Sequence, residues 1–198
     1  MARYTALDVS NFLIQQAIEN EEGELLTNMK LQKLLYYAQG CYLAVYGEPL
    51  FDENLEAWQM GPVVPDVYHT FKVCGRQPIE APYNEPIVLD RSVSDFLAAI
   101  SETFGQFSAF KLMNMTHIER PWQETYVSGM NEVINFSLLT SFFRERWVGE
   151  DFDLPEENEG KDFIQKLKEA EREANQAPEY SADEVLEWLD QIVEKQNL

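Results

Sequence analysis

Apolar and polar positions alternate with a period of three to four residues along most of the first 147 positions, and this pattern predicts a largely helical fold. Thr5 and Asp8 have the spacing of a capping box, in which each side chain bonds the backbone N–H of the other residue. The helix that they begin has an apolar stripe of Val9, Phe12, Leu13 and Ala17. It ends near Glu19, before a loop with a glycine at its centre.

A second predicted helix follows Thr27 and has apolar residues on more than one face. Its sequence, NMKLQKLLYYAQGCYLAVY, carries one apolar stripe from Leu31 to Val45, and Gly47 supplies a left-handed stop. The apolar residues off this stripe are Tyr36, Tyr37 and Leu43. Such a second surface needs a cover, either from other helices of the same domain or from a partner protein. We expect this helix to be the centre of the core.

The segment AWQMGPVVPDVYHTF, residues 57–71 and here called the corner, combines aromatic residues with residues that restrict the backbone. The alternation that precedes and enters it predicts a short strand near 55–60. Gly61 and Pro62 are predicted to end this strand, and the backbone at Gly61 is expected to need a positive φ. Pro65 suits the first turn of a helix, where a missing N–H costs nothing. The corner therefore predicts a strand, a tight turn and a short helix.

Three further helices and a second short strand complete the predicted fold. The run PIVLD predicts a strand near 86–90. Ser92 begins a helix that Gly105 closes, Ser108 caps the next one, and NFSLLTSFFRERW forms a last helix near Trp147. The predicted fold class is mainly α, a compact helical domain with a small β element.

The net charge of −20 restricts the kind of partner that the chain can bind. From Glu150 onward the chain has 16 acidic and 5 basic residues, a net charge of −11, against −9 for the first 149 residues. Binding to phosphate backbones needs clustered Lys and Arg, whereas the polar side of the second helix offers only Lys30 and Lys33. We predict no direct contact with nucleic acid. The charge also divides the chain into a domain at 1–149 and an acidic, helical C-terminal extension at 150–198.

Composition gives further expectations about compartment and chemistry. A chain of 198 residues with 45% hydrophobic content can bury a core of its own. No apolar run approaches the roughly 18 residues of a membrane helix, and the N-terminus lacks the apolar region of a signal peptide, so a cytoplasmic protein is expected. Cys41 and Cys74 suit a reducing compartment and lack the spacing of a zinc site. We expect no cofactor and no bound metal, and the oligomeric state stays open.

Three motifs, in the same order, resemble the Panacea domain, an antitoxin family that includes SocA-like proteins and phage-associated relatives. The motifs are KLQKLLYYAQG in the second helix, LEAWQMGPVVPDVY at the corner, and SAFKLMNMTHIERPW after it. The resemblance extends over roughly residues 5–147. The acidic extension lies outside it.

The resemblance implies a function without catalysis. Members of the family neutralise a small toxin, usually encoded beside them, by binding it directly. A SocA-like member instead acts as an adaptor that presents its toxin to a AAA+ protease. The chain is therefore expected to be an antitoxin in a prophage or anti-phage defence system, with the protease adaptor as the alternative. The toxin itself is not identified by the motifs.

Residues of these motifs are the candidates for partner contact: Trp58, Gly61, Pro62, Tyr68, His117, Glu119 and Trp122. Large aromatic residues dominate interface energies when they lie in rigid pockets, yet they equally suit a core, and both interpretations stay open here. His117 is interpreted either as bonding the backbone of the corner, with Trp122 packed beneath it, or as contacting the partner. A third hypothesis, a small hydrolase, would use His117 as a base beside Glu119, although this spacing does not place both on one helical face.

The acidic extension has a helix signal of its own. Ser181 and Glu184 form a capping box, and the apolar stripe after it consists of Val185, Trp188, Leu189, Ile192 and Val193. An isolated helix shorter than about 12–15 residues is marginal in water, so this one needs a surface to cover its Trp188 face. Either the chain's own domain or the toxin would supply that surface, which makes Trp188 a further candidate for partner contact.

Overall fold

The computed structural model describes residues 2–20, 23–85 and 88–147. Within these ranges the helices are α1 (Ala6–Glu19), α2 (Asn28–Tyr46), α3 (Pro65–Phe71), α4 (Arg91–Phe104), α5 (Ala109–His117), α6 (Arg120–Gln123) and α7 (Phe136–Trp147). The strands are β1 (Glu56–Trp58), β2 (Gly61–Val63) and β3 (Glu132–Val133). A single turn of 3₁₀-helix, Lys72–Cys74, follows α3. The mainly α fold class is confirmed, whereas Trp188 and the predicted extension helix lie outside the described residues.

The caps that the sequence predicts are present. The Thr5 hydroxyl accepts from the Asp8 backbone N–H, and the Asp8 carboxylate accepts from the Thr5 N–H, so the capping box of α1 is complete. Thr27 caps α2, and Ser108 caps α5 in the same way. None of the helices in the described part of the chain has both the length and the apolar composition that crossing a bilayer requires.

Helix α2 lies at the centre of the core and is packed against α1, α3, α4, α5, α7 and β2. Every residue from Lys30 to Cys41 is buried. The Tyr37 ring stacks on Phe104 of α4 with centroids 4.0 Å apart, and the Tyr36 ring meets Phe143 of α7 edge-on at 5.4 Å. The second apolar surface of this helix is therefore covered by helices of the same domain, which confirms that alternative for the described residues.

The small sheet is antiparallel and has the strand order β2-β1-β3. Gly61 and Pro62, predicted to end a strand, begin β2 instead, because the chain turns back within two residues and pairs Trp58 with Gly61. The strand predicted near 86–90 is not observed at residues 88–90, and residues 86–87 lie outside the described ranges. The third strand is β3, whose two exposed residues have no alternation that sequence analysis could detect.

Helices α2 and α7 pack tightly against each other at Gly40. A Cβ atom there would lie 2.3 Å from the Phe143 ring. Gly40→Ala should lower the free energy of unfolding by about 1–3 kcal/mol, because overpacking forces α7 away. At an unobstructed helical site, the same change would raise it by roughly 1 kcal/mol.

Urea unfolding of the full chain measures this effect, and Phe143→Leu supplies the control. If the Phe143 ring causes the clash, Gly40→Ala should lower the free energy of unfolding by less in the Phe143→Leu background than in the wild type. Equal costs in both backgrounds would place the strain elsewhere.

Candidate functional site

The corner is built around a two-residue turn, Gln59–Met60, between β1 and β2. Gly61 follows the turn with φ +91°, as the sequence predicts. A Cβ atom at this position would lie 2.8 Å from both the Lys33 Nζ atom and the Thr116 Oγ1 atom. Glycine is required here on two grounds, since the backbone is left-handed and the space beside it is occupied.

A buried lysine of α2 bonds the backbone of the corner. The Lys33 ammonium donates a hydrogen bond of 2.9 Å to the carbonyl oxygen of Pro62. Its side chain is fully buried, and burial lowers the pKa of Lys33 to about 7. Pro62 has no N–H but offers a carbonyl, so the turn gives the buried ammonium the acceptor that it needs.

Two further polar side chains of α2 bind the backbone of the corner. The Gln32 Oε1 atom accepts from the Val64 N–H at 2.9 Å, and its Nε2 atom donates to Asn28 at 3.0 Å. The Asn28 amide in turn donates to the Tyr68 carbonyl at 3.0 Å. This chain of bonds fixes the path from β2 into α3.

The third motif binds the other side of the turn. The His117 Nε2 atom lies 3.1 Å from the Gln59 carbonyl oxygen, and because a carbonyl can only accept, Nε2 carries the proton. The Trp122 indole N–H donates to the Trp58 carbonyl at 2.9 Å, and its ring lies 4.2 Å from the His117 ring. The interpretation of His117 as a ligand of the corner backbone, with Trp122 packed against it, is confirmed.

Burial changes the pKa values of His117 and Glu119. Burial, followed by the nearby charge of Lys33, lowers the pKa of His117 to about 3, so the ring is neutral at pH 7. Burial raises the pKa of Glu119 to about 7, although the charge of Arg146 and the hydrogen bond from Tyr37 act in the opposite direction. The Tyr37 hydroxyl donates to the Glu119 Oε1 atom at 3.1 Å.

The structure brings seven of the eight candidate residues to one region, and only two of them reach the surface there. Those that are buried are Gly61, Pro62, His117, Glu119 and Trp122. Trp58 and Tyr68 are half-buried, with their rings edge-to-face at 4.9 Å. The Trp58 N–H also donates to the Glu56 carboxylate at 2.7 Å, which fixes the orientation of the indole.

Sequence analysis missed the residues of α2 that hold the corner, namely Asn28, Gln32 and Lys33. Polar residues on a helix usually face solvent, and the periodicity of α2 places Lys33 off its main apolar stripe. The signal that could have identified them is the second apolar surface at Tyr36 and Tyr37. A helix that is covered on several sides must bury its polar residues as well.

Comparison with known proteins gives two matches. Residues 31–123 match the family model described as Antitoxin SocA-like, Panacea domain. The chain is also similar to Antitoxin SocA of Caulobacter vibrioides (strain NA1000 / CB15N), with 31% identity over 126 residues. That alignment covers 58% of this chain and 66% of the relative, just under two thirds of its length. No solved structure matches the chain significantly.

The steric clash that a side chain would make at Gly61 can be measured separately from the cost of the positive φ. Gly61→Ala should lower the free energy of unfolding by about 2–4 kcal/mol, since it adds a contact below 3.0 Å with Lys33 and Thr116 to the cost of a positive φ. Gly129→Ala is the matched control, because Gly129 has φ +76° and no atom within 4 Å of the added Cβ. It should cost only about 1 kcal/mol. Chemical denaturation measures the free energy of unfolding of both variants. Equal decreases in Gly61→Ala and Gly129→Ala would show that packing at Gly61 is unimportant.

The buried Glu119 predicts a pH dependence of stability. Its folded-state pKa of about 7 lies above the ordinary value of 4.5, so the stability that it contributes is fully present below pH 4.5 and is lost as the pH rises through 7. Glu119→Gln stays neutral and still offers Tyr37 an acceptor. The variant should exceed the wild type by about 1–3 kcal/mol at pH 8 and by much less at pH 5. Urea midpoints at the two pH values test this, and a difference independent of pH would contradict it.

Proposed function

We propose that the chain is a SocA-like antitoxin with a Panacea domain, which neutralises a cognate toxin by direct protein–protein binding; the family match at residues 31–123 and the similarity to Antitoxin SocA support this. The observation that carries the proposal is the corner, which lies within the matched residues 31–123. Buried hydrogen bonds hold its backbone from two sides, while Trp58 and Tyr68 remain partly accessible on its outside. This is the arrangement of a rigid aromatic anchor for a protein partner.

The burial of the two residues that a hydrolase would use favours binding over catalysis. His117 is 1% exposed and its Nε2 atom is engaged by the Gln59 carbonyl, while Glu119 is 6% exposed and bonded to Tyr37. A general base must come within hydrogen-bond reach of a substrate proton. Both residues instead bond groups of the protein itself, so their contribution is to the shape of the corner.

Rigidity of the corner makes direct binding effective. A loop that is already ordered loses little conformational entropy when it enters an interface, so more of the contact energy appears as affinity. The net charge of −20 adds long-range attraction for a basic protein, the type expected of a toxin that acts on RNA or nucleotides. We propose that the toxin is encoded by an adjacent gene of a prophage or defence operon and that the complex forms in the cytoplasm.

Co-expression with the adjacent gene tests this proposal. The chain should restore growth and co-purify with the gene product as a stable complex. Tyr68→Ala should weaken that complex by at least about tenfold, as expected for an aromatic anchor. Tyr83→Ala is the control, since Tyr83 is an exposed tyrosine outside the corner segment 57–71 whose backbone N–H donates to Asn11 of α1. It should change binding by less than about twofold.

Three results would contradict the proposal or its mechanism. Growth rescue without any detectable complex would favour an enzymatic mechanism. Equal effects of Tyr68→Ala and Tyr83→Ala would remove the corner from the interface. A toxin whose half-life falls when the chain is present, and recovers when AAA+ proteases are deleted, would identify a protease adaptor, because occlusion leaves toxin abundance unchanged.

A further inference from the structure

Several exposed apolar side chains belong to segments that bond or pair with the corner. Ten large hydrophobic residues are exposed in the described ranges, and five of them lie in the corner or within five residues along the chain of one that bonds or pairs with it: Met60, Ile118, Val127, Met130 and Val133. We call these five the tip patch. Single exposed apolar residues are normal on a protein surface, whereas a group of them around one structural feature marks an interaction site.

The contacts of the corner show why these residues are neighbours. Ile118 follows His117, whose ring binds Gln59, and Gln59 precedes Met60 in the turn. Val127 follows Tyr126, whose ring stacks on Trp122 at 4.4 Å. Trp122 in turn bonds the Trp58 carbonyl. Both exposed residues therefore directly follow a residue that belongs to, or packs on, the buried network beneath the turn.

Strand β3 brings the last member of the tip patch beside Trp58. Val133 pairs with Glu56 in the antiparallel register. Side chains of paired residues lie on the same face of a sheet, and so do those of residues two apart along a strand. Val133, Glu56 and Trp58 therefore share the outer face, with the half-buried indole diagonal to Val133.

The backbone of Val133 also faces away from the sheet. The Ile134 N–H donates to the Leu55 carbonyl at 2.8 Å, which makes these two residues a hydrogen-bonded pair. Hydrogen-bonded and non-hydrogen-bonded pairs alternate in an antiparallel ladder, so Val133 and Glu56 form a non-hydrogen-bonded pair. The N–H and C=O groups of Val133 then point to the outer edge of β3, which no other strand of the described residues pairs, so a further strand can bond them there.

The charges beside this edge favour a basic occupant. Glu132 lies in β3 and Glu56 lies opposite Val133, and neither belongs to an ion pair among the described residues. The acidic extension of this chain, with a net charge of −11, would be repelled from the same edge. A segment with Lys or Arg at its flanks would be attracted.

We propose that β3 captures the toxin as an added strand: an extended, basic segment of the toxin bonds the backbone of Val133 and lays alternate apolar side chains on the tip patch and Trp58. The inference rests on the antitoxin function proposed above and names the surface and the mode of binding. Backbone bonds give such a complex its affinity, and the side chains along the strand give it specificity.

Two substitutions at one position separate backbone pairing from simple apolar contact. Val133→Pro removes the outward N–H, and proline is tolerated on an edge strand whose N–H faces solvent. Val133→Thr keeps the N–H and the β-branched shape but loses apolar character. The probe is the adjacent-gene product that the wild-type full chain binds. Val133→Pro should weaken the complex by about tenfold or more, and Val133→Thr by less than about threefold.

Hydrogen exchange supplies a second measurement that does not depend on how Val133→Pro folds. In the free wild-type full chain the Val133 amide should exchange rapidly, and binding of the gene product should slow it by at least about tenfold. Thermal midpoints of both variants within a few degrees of the wild type would show that the corner is intact.

Each remaining outcome has a definite meaning. Normal binding by Val133→Pro, or an amide that stays fast in the complex, overturns strand addition while the antitoxin function stands. An amide already slow in the free chain means that another segment of this protein, such as its acidic extension, occupies the edge, which also overturns the inference. If the wild type neither rescues growth nor binds the gene product, the proposed function fails first and the inference fails with it.

Discussion

The burial of α2 on every side is the constraint on which the rest of the structure depends. Its polar residues cannot reach water, so each requires a partner inside the protein, and leaving a buried charge unpaired would cost more than most single contacts contribute. The corner supplies two of those partners from its backbone, the Pro62 carbonyl for Lys33 and the Val64 N–H for Gln32. The shape of the corner and the burial of the helix therefore depend on each other, because the buried polar side chains of α2 need the backbone groups that the corner presents.

Buried side chains of the third motif also bond the backbone of the corner, from the side opposite α2. His117 and Trp122 reach consecutive carbonyls, those of Gln59 and Trp58, so the corner is bonded from α2 on one side and from α5 and α6 on the other. The three sequence motifs that are far apart along the chain are therefore parts of one buried network. This explains why residues typical of catalytic sites are present in a chain whose proposed function is binding, since here they bond backbone atoms rather than substrate.

Local signals made the helices predictable, and the absence of such signals explains what was missed. The capping box at Thr5 and the stripe of α2 are short-range patterns, so both helices follow from the sequence. The contact of His117 with the corner was one of the two interpretations of this histidine that the sequence left open, and only the folded chain decides between them. The pairing of β3 with β1 is a long-range contact made by two exposed residues of β3, and no pattern in two residues can reveal it. The role of Lys33 follows only once all the neighbours of α2 are known.

An open strand edge beside apolar side chains is a risk for any protein, because a second copy of the chain can pair with it. Two features of β3 reduce this risk. The strand has only two residues, and carboxylates flank it, since Glu132 lies in the strand and Glu56 lies opposite Val133. A second copy would bring the same carboxylates together and be repelled, whereas a basic segment would neutralise them. Under the proposed mode of capture, the charges that keep the antitoxin from pairing with itself are therefore the same charges that select its partner.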